Sequence, residues 1–426
     1  MSIAEGSKRG QVLPEDVERV PLAEIDVSLP QRFRDDTWQP WFARLRRDAP
    51  VHFLEDSANG PFWSVTSHEA VMAVDTNHKV FSSEAKGIAI VDPPESAESQ
   101  LMRSKSFITL DEPAHGQQRK AVSPAVAPLN LKNFESLIRE RAADILDNLP
   151  VGESFNWVDR VSVELTARML ATLFDFPYED RRQLIHWSDI TTAVPGVTGE
   201  DNDMEARRKA LMECAMVFFN LWNERARQAP RSDLLSMLAH SDATKDLSRD
   251  PMTMIGTILL LIVGGNDTTR NSISGGVVAL NQFPDQYEKL RTNPELIPNM
   301  VSETIRWQTP VIHMRRTALE DVELGGKVIR RGDKVVMWYV SGNRDEAVFP
   351  EAERFLIDRS NARHHVSFGF GVHRCMGNRL AEMQLRILWE EILKRFQTVE
   401  VVGTVERSSN NFIRGITDVP VRLKPI

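Results

Sequence analysis

One decapeptide, FGFGVHRCMG at residues 368–377, restricts what this chain can fold into more than any other stretch. Its spacing is F-x-x-G-x-x-x-C-x-G, and the run that follows, NRLAEMQLRILWEEILKRF, has helical apolar periodicity beginning just after Cys375. A thiol placed there meets the unpaired backbone N–H groups and the positive end of a helix dipole, which favour thiolate over thiol. Gly369, Gly371 and Gly377 allow a tight turn whose backbone approaches a flat partner closely. Phe368, His373 and Arg374 complete the setting.

That setting separates Cys375 from the other cysteine. Cys214 sits in the helical pattern CAMVFFNLW without supporting residues and reads as a small buried hydrophobe. Cys375 reads as a soft anionic axial ligand to haem iron. Two cysteines far apart in sequence argue against a disulfide framework and suit a reducing compartment.

The remaining composition excludes several classes. A net charge of -8 gives no global basic field for nucleic acid or an anionic membrane surface. The opening MSIAEGSKRGQVLPEDVERV lacks a signal-type apolar core, and the longest apolar run, ILLLIV at residues 258–263, is far short of the roughly 20 residues that span a bilayer. A cytoplasmic protein without a membrane anchor is expected. The length admits about three domains, but no composition shift marks a linker. The reading is one domain over residues 1–426, with residues 1–30 as an N-terminal extension and no fused reductase.

Periodicity gives a mainly α chain. WFARLRRDA and HEAVMAVDT flank the short strand patterns PVHFLED and FWSVTS, and residues 84–107 form an irregular loop of the kind that binds ligands. Helical patterns dominate the next 200 residues, and TTAVPGVTGEDND reads as a mobile connection between two of them. Strands return at DVELGGKVI, DKVVMWYV and DVPVRLKP. An α-rich lobe and a smaller β-containing lobe around one site are expected.

The helix-length segment at residues 251–282 contains a local conflict. Gly264-Gly265-Asn266-Asp267-Thr268-Thr269 interrupts apolar sequence, and each glycine costs a helix about 1 kcal/mol relative to alanine. Such conflicts mark functional sites. Glu303 and Arg306, in SETIRW, share a helical face, and Pro310 and NRDEAVFPEAERF follow.

In this order the motifs resemble those of the cytochrome P-450 family, and the resemblance covers nearly the whole chain. It implies a cytochrome P-450 fold, an α-rich lobe plus a smaller β-containing lobe around a buried haem b whose iron is bound by Cys375. Phe368, Gly369 and Gly377 would shape the loop. GGNDTT matches the family pattern [AG]-G-x-[DE]-T-[ST] at every position. Gly264 and Gly265 would let the helix approach the haem and open locally for O2, Thr268 would hydrogen-bond at the oxygen-binding face, and Asp267 would pass protons inward. Glu303, Arg306 and Arg354 would form the structural ion pair. The haem propionates would be met by His115 and Arg119 in DEPAHGQQRK, by Arg316, and by His373.

The resemblance further implies a monooxygenase drawing NAD(P)H electrons through a [2Fe-2S] ferredoxin and a ferredoxin reductase. Lys120, Arg363, Arg374 and Arg379 would form a docking patch, and a monomer is expected. FITLDEPAHGQQRKAVSPAVAP and GGNDTTRNSISGGVVALNQFPDQYEKLR are similar to bacterial alkane and fatty-acid terminal (omega) hydroxylases. A mainly apolar channel would be lined by Leu260, Val263, Gly264, Thr268, Val311, Ile312, Met314, Phe412 and Ile413, with Ile88, Ile90, Met102 and Phe107 from the early loop. Each buried methylene contributes roughly 0.8 kcal/mol. Rival readings are a hydroxylase of a compact terpene such as limonene, a haem-binding sensor or carrier without turnover, and a helical scaffold without haem.

Overall fold

The computed structural model describes residues 14–92, 105–192 and 204–426. Five short strands build the β-containing region: β1 (Val51–Leu54), β2 (Phe62–Val65), β3 (Phe81–Ser82), β4 (Met314–Ala318) and β5 (Lys334–Met337). They lie in the order β1-β2-β5-β4-β3, all neighbours antiparallel except β2 and β5. In β5 every side chain is buried, the apolar Val335, Val336 and Met337 by packing and Lys334 by pairing with Asp92.

The helices that position the site are α1 (His68–Thr76), α2 (Ala114–Val122), α3 (Glu164–Phe174), α4 (Arg181–Thr192), α5 (Pro251–Gln282), α6 (Ile297–Gln308) and α7 (Asn378–Arg395). Asp250 caps α5 by accepting from the Thr253 N–H, and Pro251 fills its first turn. α5 then runs through the core, packed against α3, α4, α6 and α7. It is long and apolar enough to cross a membrane by composition, but 61% of its most apolar window is buried inside the fold.

The expected local opening at Gly264-Gly265 is absent, because α5 is continuous α-helix across both residues. Packing explains this. A Cβ on Gly265 would lie 2.8 Å from Leu170 Cδ2, and one on Gly275 would lie 2.6 Å from Gln308 Oε1, so these glycines admit α3 and α6 to close approach. The close contact offsets the propensity cost.

A second correction concerns residues 1–30. Within the described part, Val17, Ile25 and Val27 are buried, and Ile25 and Val27 pack in a cluster with Phe33, Trp38 and Trp338. Residues 17–27 are thus packed into the core rather than appended to it. At the other end of the chain, residues 396–401, 420–425 and 154–156 form a three-stranded antiparallel sheet. Asn281 ties α5 to it, donating to Val399 O at 2.9 Å.

Candidate active site

Cys375 stands three residues before α7, and its N–H donates to Phe368 O at 2.8 Å, closing the loop. Gly369 and Gly371 have φ of 64° and 65°, a region that side chains disfavour. Gly371 is further constrained by a neighbour, since a Cβ there would lie 2.6 Å from Asp75 O. Asp75, at the end of α1, was not singled out in the sequence. Its buried carboxylate accepts from Phe370 N at 2.7 Å, Tyr339 Oη at 3.0 Å and Arg316 Nη2 at 3.1 Å. Burial raises its pKa, against the pull of Arg316. The cysteine loop is therefore held from a position 295 residues away.

Cys375 is accessible, in a protein-lined recess. Burial raises its pKa against the N–H groups of Gly377 and Asn378 and the charge of Arg119. The N–H groups at the helix terminus act in the expected direction, and burial opposes them. Ligation of the sulfur to a haem iron would favour the thiolate, since metal ligation and thiol deprotonation are coupled.

The four residues expected at the propionates come together. The His115 and His373 rings are 4.1 Å apart, and His373 Nε2 lies 3.2 Å from Ser83 Oγ. Burial, then the charges of Arg316, His115 and Arg119, lower the His373 pKa to about 2. Arg119 donates to Arg374 O. His115 is fully engaged, with Nδ1 2.7 Å from Phe107 O and Nε2 2.9 Å from Val372 O.

On α5, accessible residues alternate with buried ones, and Leu261, Gly265 and Arg270 also keep some accessible surface. Leu260, Val263 and Thr268 are half-buried and Gly264 is exposed, while Ile258, Leu259, Ile262, Asn266 and Asp267 are buried. Thr268 Oγ1 donates to Gly264 O at 2.9 Å. The Asp267 carboxylate is fully buried and bonded within the protein. Arg270 Nη2 lies 2.6 Å from its Oδ1 and 2.6 Å from Asp189 Oδ1, whose side chain is half exposed. Ser188 Oγ donates to Asp267 Oδ2 at 3.1 Å. Burial raises the Asp267 pKa, opposed mainly by Arg270.

Glu303 and Arg306 are completely buried and pair at 2.7 Å. Their expected partner Arg354 is displaced by Arg359, whose Nε lies 3.1 Å from Glu303 Oε1. The Arg354 side chain instead pairs with Glu351 and Asp285 at the surface, and only its carbonyl reaches Arg306. The two arginines are five residues apart, and the turn between them decides which one enters the core.

The expected pocket residues divide. Ile88, Leu260, Val263, Gly264, Thr268, Val311, Met314 and Phe412 retain accessible surface. Ile90 and Ile312 are packed into one core cluster with Trp338, and Phe107 belongs to the main core, so these three back the wall instead of facing a ligand. Ile413 is also buried, bridged to Val311. Met102 lies outside the described residues, as does most of TTAVPGVTGEDND. Sequence reading missed His313 and Asn410, which join the segments of this wall. Both carry side chains able to bond two partners, the one signal available for them.

The donor set suits a macrocyclic cofactor with a single protein ligand. Among the described residues, no group of three His, Cys, Asp or Glu side chains converges to hold a metal ion. Near Cys375 the buried Nδ1 of His373 has no hydrogen-bond partner, beside Arg119 and Arg316, as propionate carboxylates require. A Cβ on Gly264 or Gly377 would meet nothing within 4 Å. These features define a haem-thiolate protein. The chain belongs to the cytochrome P450 family, whose description matches residues 56–422.

It is 46% identical to the solved structure of CYP153D17 from Sphingomonas sp. PAMC 26605, with 95% of this chain and 100% of that one covered and a TM-score of 0.89. It is 38% identical to linalool 8-monooxygenase of Pseudomonas putida, over 94% of this chain and 99% of the relative. It is 31% identical to a methyl-branched lipid omega-hydroxylase of Mycobacterium bovis, over 94% and 95%. The protein is accordingly a monooxygenase that uses haem b and O2, takes NAD(P)H-derived electrons through redox partners, and acts on small hydrophobic substrates.

Proposed function

We propose that the protein hydroxylates medium-chain alkanes or fatty acids at the terminal carbon. The observation that carries this reading is the accessible apolar surface on α5, where Leu260 and Val263 precede Gly264 and Thr268. Val311, Met314 and Phe412 add further accessible apolar surface. A terminal C–H bond is stronger than its neighbours, so attack there depends on a channel that presents only the chain end. The relative named as a lipid omega-hydroxylase supports the same position.

In this reading Cys375 binds the iron, and Arg119, Arg316 and His373 hold the propionates, with His115 fixing the His373 ring. The bound haem supplies O2 activation and the oxidising equivalent. Asp189 takes a proton from solvent, and rotation of the Arg270 guanidinium frees Asp267 to carry it inward toward the Thr268 hydroxyl. The Thr268 hydroxyl would take up that proton on a lone pair while releasing its own, turned from Gly264 O toward the haem face, and so stay neutral.

Lys120, Arg363, Arg374 and Arg379 are all exposed, and the last three gather around Glu382. They would receive an acidic [2Fe-2S] ferredoxin supplied by its reductase, to a monomeric cytoplasmic enzyme. A second reading, hydroxylation of a terpene, is favoured by the identity to linalool 8-monooxygenase.

Product analysis on dodecane, dodecanoic acid, limonene and linalool separates the two. Terminal alcohol from the linear substrates is expected, and mainly internal oxidation or turnover confined to the terpenes would overturn the first reading. The carbon monoxide complex of the reduced protein is expected to show a strongly red-shifted Soret band that Cys375→Ala abolishes.

A further inference from the structure

Three segments far apart in sequence meet behind β4. Residues 88–92 come from the early loop, residues 311–314 lead into β4, and residues 409–413 form the late turn. Several bonds attach the early loop to the sheet. Arg315 N donates to Ile88 O at 2.8 Å, while Arg315 and Lys334 both pair with Asp92, at 2.8 and 2.7 Å. The late turn is held on its other side by Asn410, which donates to Thr192 O at the end of α4 at 3.0 Å. Its backbone is also tied to the middle segment, with Ile312 N donating to Phe412 O.

His313 connects all three. Its Nδ1 lies 2.7 Å from Asn411 O and its Nε2 lies 3.1 Å from the Ile90 N–H. A carbonyl can only accept a hydrogen bond and an amide N–H can only donate one, so the ring is the neutral Nδ1–H tautomer. The ring is completely buried, 5.0 Å from Trp338 and 5.4 Å from Phe412 between centroids. Burial lowers its pKa to about 4, assisted by Arg315 and opposed by the bond to Asn411. Protonation would set an Nε2–H against the Ile90 N–H.

The placement of the accessible side chains gives this clasp its consequence. Val311, Met314, Phe412 and Ile88 are the members of these segments expected to touch substrate, and each lies within two residues of a clasp atom. Shape alone distinguishes the chain-end carbon from its neighbour, and a shift of about 1 Å is enough to change which hydrogen is presented. We infer that His313 is a positioning residue that sets regioselectivity, locking the early loop and the late turn at one separation so that the pocket admits a single approach of the substrate chain. The inference rests on the reading of Val311, Met314 and Phe412 as pocket residues, but not on which hydrocarbon is oxidised.

His313→Phe keeps a planar ring between Trp338 and Phe412 and removes both bonds. His313→Asn places an amide where Nδ1 was and retains only the tie to Asn411. Both are compared with the wild type on whichever of dodecane, dodecanoic acid, limonene and linalool the wild type oxidises, so a failed terminal assignment leaves the comparison intact. The Phe variant is expected to keep the red-shifted carbon monoxide band, to change the ratio of hydroxylation positions about threefold or more, and to raise KM more than it lowers kcat, with Asn intermediate. Hydrogen exchange without substrate is expected to quicken together at residues 88–92 and 410–413 and to stay unchanged in the cysteine loop. Wild-type product ratios in the Phe variant, or unchanged exchange at both segments, overturn the inference. If the Phe variant does not take up haem, the Asn variant decides by the same two readouts.

Discussion

Two acid–arginine pairs with identical spacing occupy the interior and are wired differently. Glu303 and Arg306 stand three apart on α6, and Asp267 and Arg270 stand three apart on α5. Both carboxylates are completely buried. Glu303 is saturated: Arg306 reaches it through two nitrogens at 2.7 Å, Arg359 Nε lies within 3.2 Å of both oxygens, and Leu356 N donates at 2.9 Å. Asp267 shares its arginine with the half-exposed Asp189, and the buried Arg270 Nε has no hydrogen-bond partner. A sequence spacing thus reports proximity, while the number and location of the other partners decides whether a carboxylate is a fastening or a relay.

The largest effect is expected from breaking the fastening. Glu303→Ala leaves two buried guanidinium groups uncompensated and should cost about 3–5 kcal/mol, read as a lower denaturation midpoint and poor haem retention. Intact stability would show that this pair is not structural.

Asp267→Asn tests the other pair and should divide activity from stability. Turnover is expected to fall about a hundredfold with NAD(P)H oxidation uncoupled from product. Unchanged turnover and coupling would remove Asp267 from proton delivery.

The same variant gives a pH test. Burial raises the Asp267 pKa above its unfolded value of 3.8, so between those two values the folded state binds more protons than the unfolded one. Stability from this group is complete below pH 3.8 and is lost as pH rises through the folded pKa. Asp267→Asn should therefore flatten the decline on the alkaline side of 3.8 and be at least as stable as wild type near neutrality. A variant markedly less stable there would make Asp267 a fastening as well. The smallest change belongs to Arg354→Ala, expected to move the unfolding free energy by no more than about 0.5 kcal/mol, whereas Arg359→Met should cost several times more.

Arg354 also shows where sequence reading stops. The Glu303–Arg306 pair was legible because it sits within one helix, where spacing dictates geometry. Its third member is chosen by the turns at residues 350–360, whose path depends on Arg359 bonding Pro350 O and Glu351 O. The cysteine loop was legible for the opposite reason. Its glycines answer to positive φ angles and to the backbone of α1, so the constraint is written into residue type. Residues that close a gap between distant segments leave no such mark. Asp75, His313 and Asn410 are an acid, a histidine and an asparagine in ordinary surroundings of sequence, and only the folded chain shows what each one joins. The local opening expected at Gly264-Gly265 is not seen because propensity was weighed without the approach of Leu170.

The cysteine loop has one more property, which concerns time rather than geometry. Phe370, Val372, His373 and Arg374 are each bonded to residues more than 250 positions earlier, at Asp75, His115, Ser83 and Arg119. Contacts of such sequence separation form late in folding, since a long stretch of chain must be ordered before they give any return. On the ribosome, α1 and α2 are made long before the cysteine that they brace. The loop can reach its final shape only when residues 75–119 have met residues 370–374, so cofactor capture is expected late in assembly rather than as its seed.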